Sequence, residues 1–129
     1  MHRYMVFTLL QVALGGALGA SSRYLTGLAT IRLIGPGFPW GTLTVNVVGS
    51  FLMGIVVVVL AQTVGNRYAP LLMTGFLGGF TTFSAFSLDA VTLYERGALG
   101  LAAGYVLASV ILSLLALMAG LLVARGILA

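Results

Sequence analysis

The chain has 129 residues, of which 60% are hydrophobic and only 6% charged, against about 25% charged in soluble domains; it cannot cover a water-facing surface, which excludes a cytosolic enzyme and a free nucleic-acid binder. Six scattered arginines against two acids give a net charge of +4, a balance that suits anchoring of helix ends at lipid headgroups rather than a nucleic-acid patch. With no cysteine and one histidine, His2, at the N-terminus, disulfides, thiolate metal sites and a cysteine nucleophile are absent, and the composition is that of an integral membrane protein.

Charges divide the chain into apolar runs: 4–22, 33–66, 68–88 and 97–124 are uncharged. A bilayer core takes about 20 apolar residues per helix, so four spans fit and five do not. The expected placement is 5–28, 41–64, 70–94 and 99–124, within a single four-helix membrane domain over 1–129. The run after Arg3 is too long for the h-region of a signal peptide. Stretches such as "GIVVVVLAQ" do not alternate in polarity, so barrel strands are excluded. Short connections, "GNRYAP" and "ERGALG", make consecutive helices antiparallel neighbours.

Each span carries a feature beyond hydrophobicity. The first holds Gly15 and Gly19, a GxxxG pair, followed by Arg23. Gly75 with Gly79, Gly100 with Gly104, and Ala116 with Gly120 repeat the small-residue spacing, which favours close helix packing in lipid. Arg23 could snorkel or could raise the local anion concentration in a vestibule.

Asn46 lies inside the second span, where its amide could bond a neighbouring helix or donate to a ligand. The third span, "LLMTGFLGGFTTFSAFSLDA", concentrates glycines and hydroxyls at its middle. That material suits a helix broken near the bilayer midplane better than a continuous helix with hydroxyls bonded back to i−4 carbonyls. A break frees carbonyls that can hold a cation.

Phe83 and Phe86 share a face at i,i+3, beside Ser84 and Ser87. Such a pair packs or, through its positive ring edges, holds an anion weakly enough to let it leave. Asp89 could pair locally or stand as a repulsive charge on an anion path. The fourth span sets Tyr105, Ser109 and Ser113 in one polar stripe, for helix–helix hydrogen bonds or for an anion.

Four spans put Arg3, Arg67 and Arg125 on one side and Arg23, Arg32 and Arg96 on the other. Lys/Arg asymmetry sets orientation, and a balanced count allows both orientations. An antiparallel homodimer is then possible, and four helices are too few to enclose a pore alone. No nucleophile–base pair, HExxH, Walker loop or acidic metal cluster occurs, so no enzyme activity is expected.

The chain resembles the Fluc (CrcB-type) fluoride channels over nearly its whole length. The resemblance rests on "GGALGASSRY", "GTLTVN", "TGFLGGFTTFSAFS", "ERG" and Tyr105 with its serines. It implies an all-α protein with four transmembrane helices, the third broken, forming a dual-topology antiparallel homodimer with two pores in the bacterial inner membrane. It implies passive movement of F⁻ out of the cell and a structural, non-transported Na⁺ on backbone carbonyls of Gly78 and Thr81. Asn46, Phe83, Phe86, Ser84, Tyr105, Ser109 and Ser113 would line the fluoride pore, with Arg23 and Asp89 at a vestibule. Many members read "TTFSTFS", whereas Ala85 here removes one hydroxyl. A small proton-coupled multidrug exporter would need a carboxylate in the first span, and 5–28 has none. A structural subunit of a larger membrane complex would explain the packing glycines but not the polar groups together.

Overall fold

The computed structural model describes residues 1–128 and is all-helical. Helix α1 (His2–Leu33) is followed by α2 (Trp40–Gln62). A third helical passage begins with a 3₁₀ turn at Gly65–Tyr68 and a π-helix at Pro70–Leu77. It continues through the single turn of α3 (Gly78–Phe80) and then α4 (Phe83–Glu95), and the chain ends in α5 (Leu99–Leu128). Four stretches, His2–Leu33, Trp40–Gln62, Gly65–Glu95 and Leu99–Leu128, are long and apolar enough to cross a bilayer. Most run several residues past the expected spans, because arginines and tyrosines at their ends keep polar tips in water while their stems stay on the helix.

The connections follow from local chemistry. After α4, Gly97 takes φ +78°, a left-handed position that a side chain would strain. Its N–H donates to the Tyr94 carbonyl and that of Ala98 to the Leu93 carbonyl, both at 3.0 Å, a Schellman closure that satisfies the last turn. The "IGPGFP" connection between α1 and α2 places Phe38 over Tyr105, the rings meeting edge to face at 5.5 Å. Around them Leu43, Leu93 and Ala102 form a small core with Phe86.

Two backbone-to-backbone contacts hold the bundle. Helix α1 packs on the π-helix and α3, and α2 packs along α5. In the first, a Cβ on Gly15 would meet the Leu71 carbonyl oxygen, and one on Gly19 the Phe76 carbonyl oxygen. In the second, Gly54 and Gly120 face each other across α2 and α5, where a Cβ would meet the Leu117 and Phe51 carbonyl oxygens respectively. Only glycine allows these approaches, which supply dispersion where lipid provides no hydrophobic drive. Gly100 and Gly104 differ from expectation: nothing lies within 4 Å of a Cβ built on either. The inward face of α5 is the stripe Ala102, Tyr105, Ser109, Gly120 and Ala124, and both glycines lie off it.

Outward, Leu14, Leu107 and Leu122 are more than half exposed, as are many others, a surface suited to lipid and not to water. Gly19→Ala and Gly120→Ala are each expected to lower stability by about 1–3 kcal/mol through overpacking, whereas Gly104→Ala raises it slightly through helix propensity. Equilibrium unfolding in detergent micelles measures all three, and equal losses would contradict the two-contact account.

Candidate functional site

The site is built where the third passage leaves helical geometry. Thr81 (φ −86°, ψ 159°) and Thr82 (φ −154°, ψ 118°) are extended, so the ladder of i→i+4 bonds is interrupted. Several of the freed groups are then met by named neighbours. Thr81 closes the preceding turn, its N–H and its hydroxyl both donating to the Leu77 carbonyl at 3.0 and 2.8 Å. The Thr82 hydroxyl accepts from the Ala85 N–H at 3.1 Å, an N-cap that starts α4.

Asn46 on α2 grips the peptide groups of Thr82. Its Oδ1 accepts from the Thr82 N–H at 2.8 Å, and its Nδ2 donates to the Thr82 carbonyl at 3.0 Å. Gly49, one turn along α2, allows the approach, since a Cβ there would meet the Thr81 side chain. From α1, Arg23 donates Nε–H to the Gly79 carbonyl at 3.0 Å, placing a cation at a helix C-terminal end.

Two carbonyls lose their i+4 donors in this arrangement. The Thr82 N–H that would bond the Gly78 carbonyl goes to Asn46, and the Ala85 N–H that would bond Thr81 goes to the Thr82 hydroxyl. Among the described residues no group of three His, Cys, Asp or Glu could hold a metal, so oxygens of this kind are the donors a hard cation would find.

Two cavities share Thr82 as a lining residue. One, of about 430 Å³, is a groove walled by Asn46, Phe83, Phe86, Ser109 and Ser113 among others. The Phe83 and Phe86 rings are 5.5 Å apart and tilted by 48°, with Phe83 78% exposed on the groove's open side. Ser109 is buried and its hydroxyl has no partner, although a buried polar atom is normally satisfied. Asn46 keeps one N–H beyond the bond to Thr82.

The other cavity, of about 500 Å³, is lined by Arg23, Asp89 and Arg96 beneath the α1–α2 connection. Arg96 donates to the Gly37 carbonyl at 3.3 Å, which ties that connection to the end of α4.

The residues singled out from the sequence therefore divide. Five share the groove; Arg23 and Asp89 share the second cavity. Ser84 stands beside the groove, its hydroxyl 3.3 Å from that of Thr82. Tyr105 lines neither cavity. It is fully buried, its ring 5.3 Å from Phe86, and its hydroxyl donates to Asp89 Oδ2 at 3.1 Å. Ser50, also in the groove, was not anticipated, yet it lies four residues after Asn46 and so on the same helical face.

A largely apolar groove carrying an amide and hydroxyls, and a cavity carrying charges, both lined by Thr82 at a helix interruption inside an apolar four-span bundle, suit a multi-pass membrane protein of the ion-channel class. The chain belongs to the CrcB-like family, also described as Camphor Resistance (CrcB), which it matches over residues 10–121. It is 73% identical over 122 residues to a fluoride-specific ion channel FluC of Cereibacter sphaeroides, covering 95% of this chain and 98% of that relative. A protein of the same description from Paracoccus denitrificans is 57% identical over 97% of this chain and its own full length. One from Agrobacterium fabrum is 56% identical over 90% of this chain and 94% of its own.

Tyr105→Phe would leave Asp89 without its protein donor. A hydrogen bond to a charged group contributes about 1.5–3 kcal/mol, and water in the Arg23 cavity compensates part, so a loss near the lower end is expected. Thermal unfolding of the variant checks this; no change would mean that the bond carries no stability.

Proposed function

We propose that the chain is a passive, fluoride-selective channel that lowers cytoplasmic fluoride by letting F⁻ leave the cell across the bacterial inner membrane. The observation that carries this reading is the groove, in which neutral donors and two phenyl rings converge on one path. F⁻ is small and tightly hydrated, so a pathway must replace its water with several donors. The unpartnered Ser109 hydroxyl, the Ser113 hydroxyl and the remaining Asn46 N–H supply such donors without a fixed cation that would trap the ion. Edges of Phe83 and Phe86 add weak positive potential, which suits conduction by brief occupancy of several weak sites. The cavity of Arg23 and Arg96 raises local anion concentration before the break. The descriptions of the relatives from C. sphaeroides and P. denitrificans agree with fluoride as the ion.

The working unit in this reading is an antiparallel homodimer of dual topology with two pores. The even division of arginines favours insertion both ways up, and the open side of the groove beside Phe83 is where a second copy completes the wall. A structural Na⁺, not transported, fits the carbonyls of Gly78 and Thr81, whose helical donors are taken by Asn46 and by the Thr82 hydroxyl. When bound there, Na⁺ supplies a fixed positive charge that compensates those carbonyls away from water.

In liposomes holding the purified protein, a fluoride electrode is expected to record rapid F⁻ efflux under an applied potential, without Cl⁻ loss and without need of a proton gradient. Phe83→Ile and Phe86→Ile abolish or sharply slow that flux while the dimer persists. Ser109→Ala slows it roughly tenfold, the rate equivalent of about 1.4 kcal/mol. Absence of F⁻ flux from a folded dimer would return the weight to a subunit or exporter role. Exchange of Na⁺ for a larger cation is expected to reduce F⁻ flux with no Na⁺ current; equal flux in both salts would remove the Gly78–Thr81 site.

A further inference from the structure

The oxygens on the third passage are not freed at random. The Leu77 carbonyl is doubly occupied by Thr81, through N–H at 3.0 Å and hydroxyl at 2.8 Å. The Gly79 carbonyl is held by Arg23 at 3.0 Å. Between them lies the carbonyl of Gly78, whose natural partner in a continuous helix is the Thr82 N–H four residues on. That N–H is bonded to Asn46 Oδ1 at 2.8 Å, and the Thr82 carbonyl to Asn46 Nδ2 at 3.0 Å. One amide side chain on another helix thus competes directly with the Gly78 carbonyl for a single donor.

We propose that Asn46 is a positioning residue for the cation site: by holding the Thr82 N–H it keeps the helix open and the Gly78 carbonyl available. This inference rests on the Na⁺ reading given above and assigns Asn46 a second role besides donation in the groove. The acceptor Oδ1 performs the positioning; the donor Nδ2 faces the Thr82 carbonyl and, through its other hydrogen, the groove. With an apolar side chain at 46, the Thr82 N–H has no acceptor on α2, and in lipid an unpaired N–H is too costly to persist. Its nearest remedy in the chain is the Gly78 carbonyl, so the turn closes and the oxygen is lost to the cation.

The two roles separate in two variants. Asn46→Leu removes acceptor and donor, whereas Asn46→Asp keeps an acceptor for Thr82 but places a carboxylate beside the anion path. The test is the unfolding temperature of purified protein in micelles, titrated with NaCl against N-methylglucamine chloride at constant ionic strength. For the unsubstituted protein the temperature rises with Na⁺. For Asn46→Leu the Na⁺ concentration giving half the rise is expected to increase about 10- to 100-fold, as for other residues that orient metal ligands. Asn46→Asp retains the Na⁺ dependence although its F⁻ flux is lost. Full Na⁺ dependence in Asn46→Leu overturns the proposal, and loss of it in both variants overturns the role of the acceptor.

A second measurement is independent of Na⁺ binding. The sequence contains only two Gly-Gly peptides, Gly15–Gly16 and Gly78–Gly79, so paired carbonyl-¹³C and amide-¹⁵N glycine labelling leaves two carbonyl resonances. A Gly16→Ala variant, whose Cβ clears its neighbours, assigns them, and the informative one is that of Gly78. It is expected to shift toward the hydrogen-bonded value in Asn46→Leu and to stay in place in Asn46→Asp. An unmoved resonance in Asn46→Leu refutes the clamp. If the unsubstituted protein ignores Na⁺ while the resonance moves as stated, the cation reading fails and the clamp stands. Asn46→Ala replaces Asn46→Leu in both experiments if the latter does not fold.

Discussion

A backbone N–H or C=O inside hydrocarbon has no water to turn to, and every departure from a helix in a membrane must find its partners in the protein. The two extended residues Thr81 and Thr82 are such a departure, and the remainder of the bundle is organised around meeting their needs. Asn46 on α2 takes both the N–H and the carbonyl of Thr82, Arg23 on α1 takes the Gly79 carbonyl, and the Thr82 hydroxyl starts α4. Three helices are therefore committed to one short stretch of backbone. The close glycine contacts are the means: without Gly15 and Gly19, α1 would stand too far away for Arg23 to reach, and without Gly49 the Thr81 side chain would collide with α2.

Placing the cavities on either side of this stretch gives the site its chemical division. One side carries arginines and an acid beneath a loop, the other carries neutral hydroxyls, an amide and phenyl rings. In the channel proposed above, an anion gathered by long-range attraction on the first side would pass to short-range donors on the second, where no charge retains it. Tyr105 serves this division from outside both spaces. It holds the Asp89 carboxylate by its hydroxyl while its ring supports Phe86, so one buried side chain braces elements of each.

Much of this was legible in the residues. Charge-free runs gave the number of long apolar helices, because a span has a minimum length that loops do not share. Asn46 stood out through the cost of a polar group in lipid, Ser109 and Ser113 as part of a polar stripe, and Phe83 with Phe86 through their i,i+3 spacing beside hydroxyls. What was not legible depends on rotation and pairing. Period alone groups Tyr105 with Ser109 and Ser113, but the stripe is wide enough for one member to turn toward Asp89 while the others face the groove. The GxxxG spacing was equally strong for Gly15–Gly19 and Gly100–Gly104, and only the path of neighbouring helices separates a packed pair from an open one. The partner of Asn46, the backbone of Thr82 36 residues away, leaves no mark in the sequence around Asn46.

The π-helix at Pro70–Leu77 was also invisible in advance, and it sets a condition on the length of the chain. Its wide turns are closed by bonds such as that from the Gly78 N–H to the Met73 carbonyl, five residues back. Each such turn spends more residues than an α-helical one to cover a given rise, so the segment stores slack in its winding. Because the wide turns already hold the surplus, a further residue inserted there has no remaining slack to take it up and would swing everything downstream by roughly 100°. Thr82 would then face away from Asn46, and Phe83 away from the groove. The stretch before the break is thus a spacer whose residue count matters alongside its side chains: Gly75 admits no larger residue, since a Cβ there would meet the Gly15 Cα and the Pro70 carbonyl oxygen, and the winding admits no added one.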